Sequence, residues 1–190
     1  MTDSAGRRGT VRTILAVDDS RTNLDVLGAR LGALGHLMVL AGDGREALDL
    51  IAGRGIDLVL LDMVMPGMSG IDVLTELRGS RDTVDLPVIM VTGRSEPQAA
   101  VEALAAGADD WIAKPFSFDV LAARIERILA RSTRLADLKR SNAALDARIA
   151  ARAIELGEAR AELARTRADR ARLVASIQAL HDEVERLSAR

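Results

Sequence analysis

Short apolar runs alternate with segments of helical periodicity over the first 130 residues. The apolar runs predict strands at 13–17, 37–40, 56–61, 86–91 and 111–113. The segments between them predict helices at 22–34, 44–53, 70–79, 97–106 and 117–130. The longest runs are continuously apolar, which is typical of parallel strands that are covered on both faces. This repeated β–α pattern predicts a doubly wound α/β domain over residues 11–130, built on a five-stranded parallel sheet.

A seven-residue repeat replaces this pattern from about residue 121 onward. When Leu135 is taken as an a position, one stripe of a and d positions forms the predicted seam of a coiled coil: Leu135, Leu138, Asn142, Leu145, Ile149, Leu156, Leu163, Leu173, Ile177, Leu180, Val184 and Leu187. The repeat also runs backward through Ile128 and Leu121 into the fifth predicted helix. A sustained period of seven predicts a long α-helical coiled coil over residues 131–190, continuous with that helix.

Charged positions beside the seam favour a parallel homodimer. In such a dimer Glu155 at a g position would face Arg160 at an e position of the second copy, and Glu162 would face Arg167. Asn142 at an a position is a device that fixes the register of two helices. The seam is weaker in its middle, where the a and d positions are Arg152, Ala159, Thr166 and Arg170.

A single amphipathic helix folded back on the domain is the alternative. A straight helix over residues 135–187 would be about 80 Å long, which exceeds the size of an ordinary domain. We therefore favour a partner helix over a helix that packs on its own domain.

Composition excludes several classes of protein. The chain has no cysteine, so it holds neither a disulfide framework nor a thiolate metal site. Its hydrophobic content of 48% is sufficient for a globular core. No apolar run reaches membrane-spanning length, and residues 1–10 lack the apolar stretch of a secretion signal. These features predict a cytoplasmic protein with no membrane partner, and a disordered tail at residues 1–10.

Charge divides unevenly between the two regions. Residues 131–190 contain 13 basic and 9 acidic side chains, a net charge of +4. Because the whole chain has a net charge of −2, residues 1–130 carry a net charge of −6. The basic residues are interspersed with acidic ones, and neither a helix-turn-helix nor stacking aromatics accompany them. We interpret them as a solvated helix face and expect no nucleic-acid partner.

Polar residues at the ends of the predicted strands indicate where chemistry takes place. Asp18 and Asp19 follow the first strand, Asp62 the third, Thr92 the fourth and Lys114 the fifth. The carboxyl ends of parallel strands form the usual ligand-binding edge of such a sheet. Three carboxylates without histidine or cysteine suit a hard cation such as Mg²⁺, which commonly accompanies phosphoryl transfer. For any one of these residues taken alone, a helix cap or a solvated loop would be the better interpretation.

Four sequence motifs together resemble a response-regulator receiver domain of two-component signalling. They are "LAVDDS", "LVLLDMVMPGMSG", "VIMVTGR" and "GADDWIAKPF", in order within residues 11–130. The resemblance implies a flavodoxin-like sheet with strand order 2-1-3-4-5.

The resemblance also implies roles for the acidic residues. Asp62 would be the phosphoacceptor, phosphorylated by a histidine kinase or a histidine phosphotransfer protein. Asp19, Asp62 and the backbone carbonyl of Val64 would hold Mg²⁺, and Asp18 would assist through water.

The remaining motif residues would respond to the phosphoryl group. Thr92 would bond one of its oxygens after a rearrangement, and Lys114 would pair with it from the other side. The Lys114–Pro115 peptide is expected to be cis. Trp111 stands at the switch aromatic position, where the family usually has tyrosine or phenylalanine, and Gly93 follows the threonine in place of the commoner alanine.

These features predict a response regulator that is not an enzyme beyond assisting its own phosphorylation and dephosphorylation. It would signal through its coiled-coil dimer to a downstream protein partner. One alternative is the receiver-plus-linker part of a larger regulator with an enzymatic output, such as a diguanylate cyclase or a phosphodiesterase. Another is a dimeric scaffold with a vestigial receiver. We interpret His181, beside Asp182 at an e position, as a solvated side chain and not as a phosphorylated histidine.

Overall fold

The continuously apolar runs form one parallel sheet. The computed structural model describes residues 11–53, 55–93 and 97–188, and the tail predicted at 1–10 lies outside them. The strands are β1 (Thr13–Val17), β2 (Leu37–Ala41), β3 (Leu58–Asp62), β4 (Val88–Thr92) and β5 (Asp110–Ala113). They pair in the order β2-β1-β3-β4-β5, and all four pairings are parallel. The predicted doubly wound fold and its strand order are thus confirmed.

Helices connect the strands in sequence. They are α1 (Arg21–Ala33), α2 (Gly44–Gly53), α3 (Gly70–Gly79), α4 (Pro97–Ala105) and α5 (Phe118–Ser188). Ser20 caps α1, and its hydroxyl accepts a hydrogen bond from the backbone N–H of Asn23. Ser69 and Asp72 form a reciprocal capping box at the start of α3, which satisfies backbone donors that a helix leaves unpaired.

Two apolar clusters fill the two sides of the sheet. One includes Ile14, Leu58 and Ile89 together with the buried residues of α1 and α5. The other includes Leu15, Val59 and Met90 together with buried residues of α2, α3 and α4. Alternate residues of one strand enter opposite clusters, which explains why these strands are continuously apolar.

The third strand begins and ends later than its apolar pattern predicts. The range predicted was 56–61, whereas β3 is Leu58–Asp62. Asp57 lies before the strand because its carboxylate binds the Arg12 side chain at 3.0 Å and the Thr13 N–H at 2.8 Å. Asp62 belongs to the strand and is paired in register with Val91 of β4. The candidate phosphoacceptor is therefore held by sheet backbone and not by a mobile loop.

The fifth helix continues far beyond the sheet-covering segment. The chain divides into two units, Met1–Leu135 and Ala136–Arg190, and α5 contributes to both. Leu121 and Ile128, which continue the a positions backward, are buried in the first unit. The exposed part of the stripe begins with Leu135, and the side chain of Leu187 lies outside the described residues. The predicted long helix is present, and its pairing into a coiled coil stays a prediction.

Within the described ranges, none of the helices combines the length and the apolar content needed to cross a membrane.

Candidate functional site

The carboxyl ends of β1, β3 and β5 bring three charged side chains together. The Lys114 Nζ donates hydrogen bonds to Asp18 Oδ2 at 2.7 Å and to Asp62 Oδ2 at 2.6 Å. The side chains of Asp18 and Asp62 are only 3% and 8% exposed. One ammonium thus bridges two buried carboxylates, and this attraction offsets part of the cost of removing them from water.

Asp19 completes an acidic cluster at the same edge. One carboxylate oxygen from each of Asp18, Asp19 and Asp62 lies within 4.8 Å of the others, and Asp19 is the exposed member. Oxygen ligands at this spacing, with no imidazole or thiolate among them, match the preference of Mg²⁺ for carboxylate and water ligands. The donor set therefore fits the cation that the sequence motifs imply.

Asp18 is held by more donors than its neighbours. Its Oδ1 accepts hydrogen bonds from the Ser20 N–H at 2.9 Å and from Asn23 Nδ2 at 3.0 Å. Its Oδ2 accepts from Lys114 and also from Asn23 Nδ2, at 3.1 Å. Burial alone would raise the pKa of Asp18, but these hydrogen bonds outweigh it and lower the pKa. Asp18 is therefore a fixed anion.

Asp62 has the opposite balance. Its burial raises the pKa of the carboxyl group, and the Lys114 ammonium offsets this only in part. Its second oxygen accepts a long hydrogen bond from the Val64 N–H at 3.3 Å. For Lys114, burial alone would lower the pKa, but its two carboxylate partners outweigh burial and raise it. Asp62 is thus the less stabilised of the two bridged carboxylates.

The fourth strand places a hydroxyl beside this cluster. Thr92 is the last residue of β4 and is buried, and its carbonyl accepts from the Lys114 N–H at 2.7 Å. Gly93 follows it, and a Cβ built there would contact none of the described residues within 4 Å. Trp111 lies on β5 in register with Met90 and is half-buried against the second apolar cluster. Thr92 and Lys114 are therefore linked by a backbone hydrogen bond and lie at the same edge of the sheet.

Two further predicted features lie in the adjoining loops. The Lys114–Pro115 peptide is cis. Val64 follows β3 with its side chain 64% exposed, next to Asp62. The loop after β3 is therefore open to solvent where the candidate phosphoacceptor meets it.

Two residues that contribute to the site were missed from sequence. Asn23 contacts both oxygens of Asp18, and its position three residues after the capping Ser20 was the available signal. Gly70 packs directly on the backbone of the phosphoacceptor candidate, because a Cβ built on Gly70 would lie 2.2 Å from the Asp62 carbonyl oxygen. This close approach fixes the loop that connects β3 to α3.

The first unit is similar to known signalling proteins. The family model of the response regulator receiver domain matches residues 14–126. The response regulator MprA of Mycolicibacterium vanbaalenii is 44% identical over 120 residues, which are 63% of this chain and 51% of MprA. The chain therefore spans about half the length of the curated relatives it matches.

Solved structures agree with this similarity. Chemotaxis protein CheY4 of Vibrio cholerae is 30% identical, with a TM-score of 0.60 over 63% of this chain and 99% of CheY4. Response regulator TrrA of Thermotoga maritima, solved in complex with Mg²⁺ and BeF, is 32% identical, with a TM-score of 0.56 over 62% of this chain and 99% of TrrA.

Replacing Gly70 tests the close approach to Asp62. We expect Gly70→Ala to lower the free energy of unfolding by about 3 kcal/mol, because backbone atoms must move to accept the methyl group. Gly79→Ala in the same helix is the matched control, since a Cβ there meets nothing within 4 Å. Urea unfolding followed by the fluorescence of Trp111, the chain's one tryptophan, measures both. Equal stability of the two variants would contradict the packing described.

Replacing Asp62 tests its raised pKa. A raised carboxyl pKa means that the folded state binds the proton more tightly than the unfolded state, so ionisation of Asp62 lowers the stability of the fold at pH values above the ordinary pKa of aspartate. Without Mg²⁺, Asp62→Asn should therefore be more stable than wild type at about pH 7. The gain should shrink as the pH falls toward the raised pKa, because wild-type Asp62 then becomes neutral.

Urea unfolding at several pH values measures this gain. Asp49→Asn, at an exposed position of α2, is the control that changes net charge equally. An Asp62→Asn protein that is less stable than wild type at every pH would refute the electrostatic cost.

Proposed function

Because the chain belongs to the response regulator receiver domain family, we propose that Asp62 accepts a phosphoryl group from a histidine kinase or a histidine phosphotransfer protein. The observation that carries this proposal is the bridge of Lys114 between Asp18 and Asp62, at the edge where Asp19 adds a third carboxylate. Among the described residues, Asp62 is the buried carboxylate of this group that accepts fewer hydrogen bonds than Asp18. Its carboxylate is therefore the one best suited to react.

The proposed reaction is a transfer between two nucleophiles. A carboxylate oxygen of Asp62 forms a bond to phosphorus while the bond between phosphorus and the donor's histidine nitrogen breaks, and the electron pair stays on that nitrogen. Lys114 would bind one phosphoryl oxygen and thereby exchange part of its contact with Asp62 for a contact with the product. Thr92, at the end of the neighbouring strand, would donate its hydroxyl to another phosphoryl oxygen.

The acidic cluster would hold Mg²⁺ during this reaction. Asp19, Asp62 and the backbone carbonyl of Val64 would hold the cation directly, and Asp18 would assist through a water molecule. Bound Mg²⁺ supplies positive charge that offsets the carboxylates and the incoming phosphoryl group. The need for such charge follows from the site itself, since one lysine faces three carboxylates within the described residues.

A concavity beside Lys114 offers a place for the phosphodonor. It has a volume of about 290 Å³, and its lining combines the charged edge with apolar side chains: Asp18, Asn23, Val26, Leu27, Lys114, Pro115, Phe116 and Phe118. Arg30 lies over the Phe118 ring, with its guanidinium carbon 5.0 Å from the ring centroid. An apolar surface next to Lys114, which contacts the reacting carboxylate, suits a protein donor that must seat one histidine side chain.

The second unit would serve as the output element. Its described apolar seam residues are solvent-exposed in the single chain, from 49% at Leu145 to 67% at Ile149. A parallel homodimer would cover this stripe from about Leu135 onward, because Leu121 and Ile128 are already buried in the first unit. Phosphorylation of Asp62 would draw in Thr92 and reposition Trp111, which changes the surface of α4 and α5 and thereby the dimer. A downstream protein would read that change.

A larger regulator with an enzymatic output is the second candidate function. It is favoured by the length of the curated relatives, because the matched region covers 51% of MprA. In that case the second unit would transmit a rotation or a shift in register to a following domain. The reading frame of the native gene beyond Arg190 distinguishes the two candidates.

Phosphorylation by a small-molecule donor tests the role of Asp62. The full chain incubated with acetyl phosphate and Mg²⁺ should gain the mass of one phosphoryl group, and Asp62→Asn should gain none. Asp49→Asn should behave as wild type, since Asp49 is exposed on α2. Undiminished phosphorylation of Asp62→Asn would overturn the assignment, and failure of wild type to bind beryllofluoride would favour a vestigial receiver.

Two isoleucines in α5 provide a matched test of the seam. Ile149 occupies an a position and is 67% exposed, whereas Ile154 occupies an f position and is 64% exposed. Ile149→Asp should raise the dissociation constant of the dimer by about 100-fold, because a charge would enter the helix interface. Ile154→Asp should leave it unchanged. Light scattering over a range of concentrations measures both, and equal effects would argue against this seam.

A further inference from the structure

We infer that Asn23 is a positioning residue for the metal site, which orients the Asp18 carboxylate without neutralising its charge. The inference rests on the proposed function, because it assumes that Mg²⁺ binds beside Asp18. Asn23 Nδ2 lies 3.0 Å from Asp18 Oδ1 and 3.1 Å from Oδ2, so one amide spans the whole carboxylate. No motif of the sequence assigns Asn23 a role in the site.

The two side chains that contact Asp18 differ in what else they must do. Lys114 is shared with Asp62 and would also bind the phosphoryl group, so it is not dedicated to Asp18. Asn23 has no second carboxylate partner among the described residues. Together with the Ser20 N–H, it would keep Asp18 oriented whichever of these groups Lys114 contacts. The Lys114 ammonium thus contacts both carboxylates, whereas among the described residues the Asn23 amide contacts the Asp18 carboxylate alone.

The neutrality of Asn23 matters for Mg²⁺. A lysine or arginine at this position would also bind Asp18, but its charge would compete with the cation for the carboxylates. An amide donor fixes the orientation of Asp18 and leaves the full negative charge available. Partners of this kind commonly change metal affinity by about 10- to 100-fold when they are removed.

A purely structural role for Asn23 makes a different prediction. Asn23 is the third residue of α1, and its backbone N–H already reaches the Ser20 hydroxyl at 3.4 Å. Capping of the helix therefore does not need the Asn23 side-chain amide. If the amide served only to stabilise α1, its loss would change the stability of the protein and leave Mg²⁺ affinity as it is.

Isothermal titration of the full chain with Mg²⁺ separates these possibilities. Asn23→Leu keeps the approximate volume but removes both donors, and it should raise the dissociation constant for Mg²⁺ by about 10-fold or more. Asn23→Ala is a second variant that adds no branched apolar group and should give the same increase. Asn23→Gln restores an amide and should bring the constant back to within about threefold of wild type. Thr22→Leu, at the exposed neighbouring position, is the matched control and should bind as wild type.

The outcomes also distinguish this inference from the proposed function. Wild-type binding of Mg²⁺ with unchanged affinity in Asn23→Leu and Asn23→Ala would overturn the role of Asn23 alone. A reduction of the same size in Thr22→Leu would overturn it as well, because the effect would then belong to the helix and not to the amide. Absence of Mg²⁺ binding in wild type would overturn both the inference and the proposed metal site.

Discussion

The Lys114 ammonium between Asp18 and Asp62 is the interaction on which the arrangement of the site depends. Three strand ends converge there, and each carries a charge that would be costly to bury alone. At 2.6 and 2.7 Å the two ion pairs hold the ends of β1, β3 and β5 in one place. Among the described residues, the Lys114 ammonium bridges two carboxylates of a cluster of three, so the negative charge of this cluster exceeds the positive charge of Lys114. That deficit makes Mg²⁺ and a phosphoryl acceptor role a coherent explanation of the same residues.

The electrostatic asymmetry within the cluster follows from local backbone and side-chain donors. Asp18 receives the Ser20 N–H and the Asn23 amide, so its pKa is lowered, whereas burial dominates at Asp62 and raises its pKa. Asp18, the more stabilised anion, is therefore suited to support a cation. Asp62, the less stabilised anion, is suited to react. Gly70 contributes sterically, since only a residue without a Cβ allows α3 to begin against the Asp62 carbonyl.

Sequence alone predicted the architecture because the strands are continuously apolar and polar residues end them. The strand order came from the resemblance to receiver domains and not from periodicity. The predicted start of β3 was two residues early, because the apolar pattern does not register that Asp57 binds Arg12 and Thr13. Asn23 was missed although it lies only five residues after Asp18. The steric role of Gly70 could not be predicted, because it depends on the path of the chain between β3 and α3. The seam of α5 was visible as a seven-residue repeat. Its pairing with a second helix stays a prediction, because the structure contains one chain.

We propose that the chemistry at Asp62 controls the state of the long helix. Sedimentation velocity of the full chain, with and without Mg²⁺ and beryllofluoride, measures this coupling. We expect a dimer whose sedimentation coefficient or dissociation constant changes when beryllofluoride is added, and an Asp62→Asn protein that does not respond. A chain that remains monomeric in both conditions, or a dimer that does not respond to beryllofluoride while the site binds it, would show that Asp62 does not control the helix.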